Sequence, residues 1–193
     1  TVGWYTTKNP YNAAYASVLK NHYYSGESFS LVYINNDNIP ELVIHEGDAY
    51  GDEAIVYTFH NGKAAKVFKG GQYGDIIYRK KGNLFASYFG GAGINEVNIY
   101  RISGGYAEGV CCLLSDVSNN PYKVNSRAVS YSTFLSTAKN YYFNMTGMGY
   151  LSTENYSYAR QTNDYYLNYT NNEPSSEITL TRHSEKANLG LNW

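Results

Sequence analysis

Four carboxylates, Glu46, Asp48, Asp52 and Glu53, fall in one stretch that also holds Gly47, Tyr50 and Gly51. Glycoside hydrolysis needs two carboxyl groups across a cleft, about 5–5.5 Å apart with a carboxylate nucleophile or about 6.5–9.5 Å with a water nucleophile. This loop supplies the residue types, and the same residues equally suit a solvated surface. A second acidic group, Asn35, Asp37 and Glu41, has the alternating oxygen ligands of a calcium loop. Calcium takes six to eight oxygens, and here Tyr33 and Asn38 replace an acid and a glycine. The alternative is a turn whose Asx side chains bond their own backbone. His22, His45, His60 and His183 are scattered without HExxH spacing, and no GxSxG, Walker A or dinucleotide-binding GxGxxG pattern occurs. Cys111 and Cys112 are adjacent, so on a strand their thiols point to opposite faces. They are expected as buried free thiols, with a vicinal disulfide as the other option.

The commonest chemistry-bearing residue is tyrosine, with 23 copies in 193 residues. Tyrosine offers a rigid apolar plate and one hydroxyl at low entropic cost, a combination that favours recognition surfaces. A sugar ring has an apolar C–H face and a rim of hydroxyls, which a tyrosine flanked by Asn, Ser and Thr complements. Tyr11, Tyr15, Tyr57, Tyr78 and Tyr100 follow regular apolar patterns and are expected in the core. The binding candidates are Tyr50 and Tyr73 between strands, Tyr150, Tyr156, Tyr158, Tyr165 and Tyr166 near the C-terminus, and Trp4. In an extended Tyr156-Ser157-Tyr158 the two rings share a face about 6.5–7 Å apart. Such a pair either contacts neighbouring sugars or closes a sheet edge.

These candidates hang on an α+β, β-dominated scaffold. Asn9-Pro10 opens a helix over 10–24, with Tyr11, Ala14, Tyr15, Val18 and His22 on one face. An antiparallel meander of hairpins follows over 29–129. Its turns are Asn35 to Asn38, Asn61-Gly62, Lys81-Gly82-Asn83, Gly90 to Gly93 and Gly104-Gly105, and residues 54 to 114 carry about six strands. A small hairpin at 122–129 precedes a second short helix near 131–141, capped by Ser130 or Ser132. The segment 140–193 is rich in Tyr and Asn, and Glu177 to Thr181 reads as a returning strand. The whole, 1–193, is expected as one domain.

The chain carries 15 Lys and Arg against 16 Asp and Glu, scattered along its length. That leaves no basic face for tracking phosphates, which excludes a nucleic-acid partner. No apolar run reaches the roughly 18 residues of a membrane span. Only 16% of residues are charged, and Asn, Ser, Thr, Tyr and Gly fill the polar positions. Such neutral, hydroxyl-rich surfaces suit an extracellular setting and neutral ligands.

The run Phe29-Ser-Leu-Val-Tyr-Ile-Asn-Asn-Asp-Asn-Ile-Pro-Glu-Leu-Val-Ile44 resembles the strand-loop-strand pattern F-x-L-x-D-I-D-x-D-G-I-P-E-L. That pattern occurs in secreted and surface proteins of anaerobic Gram-positive bacteria, and similar acidic loops occur in dockerins and FG-GAP propeller blades. The resemblance extends over residues 11 to 142 through Tyr57 to Lys63, the Gly-Tyr-Gly step at Tyr73 and the turn Gly90 to Gly93. It implies a secreted or cell-surface protein, with calcium at Asn35, Asp37 and Glu41 as the one cofactor it suggests. With the tyrosines, the expectation is a non-catalytic carbohydrate-binding module of a cellulosome-type polysaccharide-degrading system, binding a neutral glycan such as cellulose. The alternatives are a structural or protein-interaction domain of a surface protein, and a glycoside hydrolase using the carboxylates of 46–53.

Overall fold

A computed structural model describes residues 10–19, 21–22, 28–47, 49–72, 74, 76–116, 121–141, 144–146, 150–152 and 157–158. A first helix, α1 (Pro10–Leu19), leads into β1 (Ser28–Val32), β2 (Glu41–His45), β3 (Ala54–His60) and β4 (Lys63–Gly70), which pair in that order as a four-stranded sheet. Next come β5 (Ile76–Arg79), β6 (Leu84–Gly91), β7 (Ile94–Ser103), β8 (Tyr106–Asp116), β9 (Tyr122–Val124) and β10 (Arg127–Ala128), again neighbours in chain order. The second helix is α2 (Tyr131–Asn140). After it, β11 (Asn144–Thr146) pairs with β12 (Tyr150–Ser152), and β13 (Ser157–Tyr158) joins the free edge of β5 to complete a seven-stranded sheet. All pairings are antiparallel. The protein is therefore α+β and β-dominated, and the six strands expected between 54 and 114 are β3 to β8.

Local chemistry explains the meanders. Three two-residue turns have positive φ at both central positions: Asn61 and Gly62 (51° and 78°), Ala92 and Gly93 (49° and 82°), Asn125 and Ser126 (48° and 67°). This is the type I′ signature, whose twist matches that of the flanking strands. Between the two sheets the chain passes Gly71 (φ 96°) and Gly74 (φ 68°). A Cβ at Gly74 would lie 2.3 Å from the Gly47 carbonyl oxygen, so only glycine fits there.

Three apolar clusters stack the elements into four layers. Tyr11, Tyr15, Ala16 and Leu19 of α1 pack on Phe29, Leu31, Leu42, Ile44 and Ile55 of the small sheet. The opposite face of that sheet, with Val43, Ala54 and Val56, meets Ile76, Tyr78, Phe85 and Ile102 of the large sheet. The far face of the large sheet, with Ile77, Ala86, Val97, Ile99, Cys111 and Leu113, takes Phe134 and Ala138 of α2. All five residues of β2 are buried. As expected, Tyr11, Tyr15 and Tyr78 are core residues, with Tyr57 and Tyr100 packed half-buried against it.

The first helix is shorter than the expected 10–24 and ends at Leu19. Its exit tightens into i→i+3 bonds, Asn21 N–H donating to the Val18 carbonyl (2.9 Å) and His22 N–H to that of Leu19 (3.1 Å). That tightening is a common way to satisfy terminal carbonyls. α2 matches its expectation: the Ser130 hydroxyl accepts from Thr133 N–H (3.2 Å), and Lys139 lies in the last turn. Among the described residues no helix is long and apolar enough to cross a membrane. The strand expected at 177–181 lies outside the described residues.

Candidate functional site

The two sheets differ in size, and among the described residues this leaves part of the large sheet's inner face uncovered. Register defines that area. Phe89, Glu96, Leu114 and Lys123 lie side by side across β6, β7, β8 and β9, and the next row holds Ser87, Asn98 and Cys112. Phe89 is 44% exposed, while Glu96, Asn98, Cys112, Leu114 and Lys123 are half-buried.

At the margin of the area the β7–β8 ladder breaks. Ile99 pairs with Cys111, but Tyr100 pairs with Gly109, so Val110 is an extra residue. A bulge of this kind bends its strand and re-aims side chains. Here it opens a recess of about 280 Å³ lined by Asn98, Tyr100, Gly109, Val110, Cys112 and Asn125 among others. The Tyr100 ring stacks on Phe85 (5.3 Å, 23°) and tilts against Phe68 of the small sheet (5.0 Å, 52°). This aromatic trio spans the sheet interface and fixes the recess wall.

Two amides in the recess are held in defined orientations. The Asn98 side-chain amide donates to Glu96 Oε1 (2.5 Å). The Asn125 side-chain oxygen accepts from Cys112 N–H (2.8 Å), and Asn125 N–H donates to the Cys112 carbonyl (2.9 Å). Burial and the nearby Glu96 push the Cys112 thiol up, and burial pushes Cys111 up to about 11. Both cysteines are free thiols, Cys111 facing the α2 layer and Cys112 the recess.

Of the eight aromatic candidates, Tyr50 is the one whose side chain is described; it is 67% exposed on the β2–β3 loop. Tyr150 opens β12, and Tyr158 lies on β13 opposite Ile77, where Ser157 and Tyr158 pair with β5. Trp4, Tyr73, Tyr156, Tyr165 and Tyr166 lie outside the described residues.

The acidic loop after β1 folds onto itself. Glu41 is fully buried. Its Oε2 accepts from Ile34 N–H (2.9 Å) and Asn35 N–H (3.3 Å), and its Oε1 from the Asn35 amide (2.8 Å) and the Thr58 hydroxyl (3.1 Å). Asn35 Oδ1 takes Asp37 N–H (2.8 Å), and Asp37 Oδ1 takes Ile39 N–H (2.8 Å). These are successive Asx turns over a buried carboxylate. In the loop as folded, the oxygens of Asn35, Asp37 and Glu41 accept from these donors.

The 46–53 carboxylates are also engaged. Lys69 Nζ reaches Glu46 Oε1 at 2.7 Å and Glu53 Oε2 at 3.3 Å, pinning the loop to β4. Asp52 Oδ2 accepts from Ala49 N–H (2.6 Å), which closes the turn. Asp48 lies outside the described residues. An ammonium shared by two carboxylates suits anchoring, whereas a glycosidase acid needs surroundings that keep its proton in place. His45, also fully buried, bonds the Gly74 carbonyl through Nδ1 at 2.5 Å; a carbonyl only accepts, so Nδ1 carries the proton.

The recess residues Asn98, Val110, Cys112 and Asn125 were not among the candidates read from sequence. Tyr100 follows a core pattern and packs half-buried against the core with one open edge. The Asn125-Ser126 hairpin was visible, but the register that brings it beside Asn98 was not. Compared with known proteins, the chain matches no family model, no curated protein and no solved structure.

Proposed function

We propose that this chain is a non-catalytic binding module for a neutral glycan, using the uncovered face of its seven-stranded sheet. The observation that carries this reading is the recess at the β7–β8 bulge, where an aromatic edge, two fixed amides and a neutral thiol meet beside exposed Phe89. A sugar needs an apolar surface for its C–H face and oriented amides for its hydroxyls, and this face supplies both. Rigid sheet positions add preorganisation, which lowers the ordering cost of binding. The near-zero net charge and low charge content further favour a neutral ligand over phosphate or sulfate. The low charge and the resemblance of residues 29–44 support an extracellular role within a polysaccharide-degrading system.

The test is retention on a panel of soluble and insoluble polysaccharides, with Phe89→Ala as the site variant. Phe89 is substantially exposed, so its loss should leave the melting temperature unchanged and lower retention several-fold. A protein retained by no glycan would sink the proposal.

A further inference from the structure

We propose that the recess selects an N-acetylated sugar, holding the acetamido group between Asn98 and Asn125 with its methyl toward Val110 and Tyr100. This inference rests on the glycan-binding reading and specifies the ligand.

The argument starts from which atoms the two amides still have free. A carboxylate accepts and cannot donate, so the bond to Glu96 at 2.5 Å fixes Asn98 with its NH₂ toward Glu96. What Asn98 offers a ligand is therefore Oδ1, an acceptor. Asn125 is fixed in the opposite sense, because a backbone N–H only donates and its partner on Asn125 is Oδ1, at 2.8 Å from Cys112 N. What Asn125 offers is its NH₂, a donor. The recess thus presents one acceptor and one donor of fixed identity, and neither can be exchanged by flipping an amide without breaking its anchoring bond.

Their separation also matters. Asn98 pairs with Cys112 across β7 and β8, and Cys112 is bonded in turn to Asn125 on the other side. The two asparagines therefore flank Cys112 from either side, about 9.6 Å apart at two strand spacings. A trans secondary amide carries its N–H and C=O on opposite sides, so one laid over Cys112 gives its N–H to Asn98 and receives the Asn125 NH₂ at its carbonyl. Beneath lie Val110, the Tyr100 edge and the Cys112 sulfur, an apolar floor for a methyl group. A hydroxyl in that position reaches one asparagine and leaves the other to water, so a simple glucan forgoes one of the two bonds. A free amino sugar lacks the carbonyl that Asn125 requires.

The experiment is isothermal titration of the full chain with three trisaccharides of equal length, built from N-acetylglucosamine, glucosamine or glucose. The acetylated sugar should bind about tenfold or more tighter than the other two, the worth of one well-made hydrogen bond. Asn125→Asp is the informative variant: it keeps Oδ1 for Cys112 N–H and the left-handed backbone, and replaces the donor by a charged oxygen that can only accept. It should lower affinity for the acetylated sugar about tenfold at unchanged melting temperature, and Asn98→Leu should do the same by removing the acceptor. Equal binding of the acetylated sugar and glucose overturns the acetamido site while leaving glycan binding intact. Tighter binding of glucosamine overturns it in favour of Glu96 as an ammonium partner. Displacement of the sugar by a small blocked peptide amide at equal affinity overturns the sugar as the source of the amide. If none of the three binds although a polysaccharide is retained, this inference fails alone; if nothing is retained, both fail.

Discussion

Glu41 has no exposed surface, and burial pushes its carboxyl up to about 8 even though the donors from Ile34, Asn35 and Thr58 pull the other way. A folded-state value above the unfolded one means that folding favours the protonated form. The stability this contributes is complete below the ordinary carboxylate range and declines as pH rises through about 8. Urea unfolding between pH 6 and 9 should therefore show a falling free energy, and Glu41→Gln should flatten that slope. Asn83 does comparable work at the seam between the sheets. Its side chain accepts from Ile102 N–H (2.9 Å) and donates to the Ile102 carbonyl (3.0 Å), while its own N–H donates to the Ile34 carbonyl (2.8 Å). Asn83→Ala leaves those Ile102 groups unpaired in a part-buried site and should lower stability by about 2 kcal/mol in chemical denaturation. Neither role was legible from residue type: Glu41 reads as a metal ligand until its burial is known, and Asn83 reads as an ordinary turn residue.

At the scale of elements, the turns were the most legible part of the chain. Asn61-Gly62 announces its hairpin because both residues tolerate positive φ, and Ser130 announces α2 because its hydroxyl can cap the first turn. Ala92 is one exception. It occupies the left-handed region at φ 49°, where a methyl side chain costs about 1–2 kcal/mol. Ala92→Gly should therefore raise stability by up to about 1 kcal/mol, after the larger chain entropy of glycine is counted, and thermal melting reads this directly. The β7–β8 bulge had one local hint, Gly109 inside a strand and next to the extra Val110, but the shift itself exists only in the pairing of two strands. Asn98 and Asn125 meet through that pairing, so no local pattern announces the recess.

At the scale of the whole molecule, the strands were readable but their division into two stacked sheets was not. A half-exposed strand alternates apolar with polar residues, whereas Ile76, Ile77 and Tyr78 are all buried because β5 has apolar layers on both sides. The alternation that would assign each strand to a face is lost there. That same strand would be the edge of its sheet without β13, whose two residues pair with Ile77 and Tyr78. A chain ending at residue 152 should thus leave an apolar edge unpaired and self-associate, visible as a shift to larger species in size-exclusion chromatography, while the full chain does not.

The layered arrangement has one more consequence. Each sheet is assembled almost wholly from consecutive strands, and a single pass of chain near Gly71 and Gly74 joins them. Severing the backbone at that pass would yield two fragments, each with its own complete meander and helix but with one apolar face bare. Mixed in solution, such halves are expected to find each other and restore the native interface, which would make the connection a natural place to divide this protein into a pair of complementing reporters.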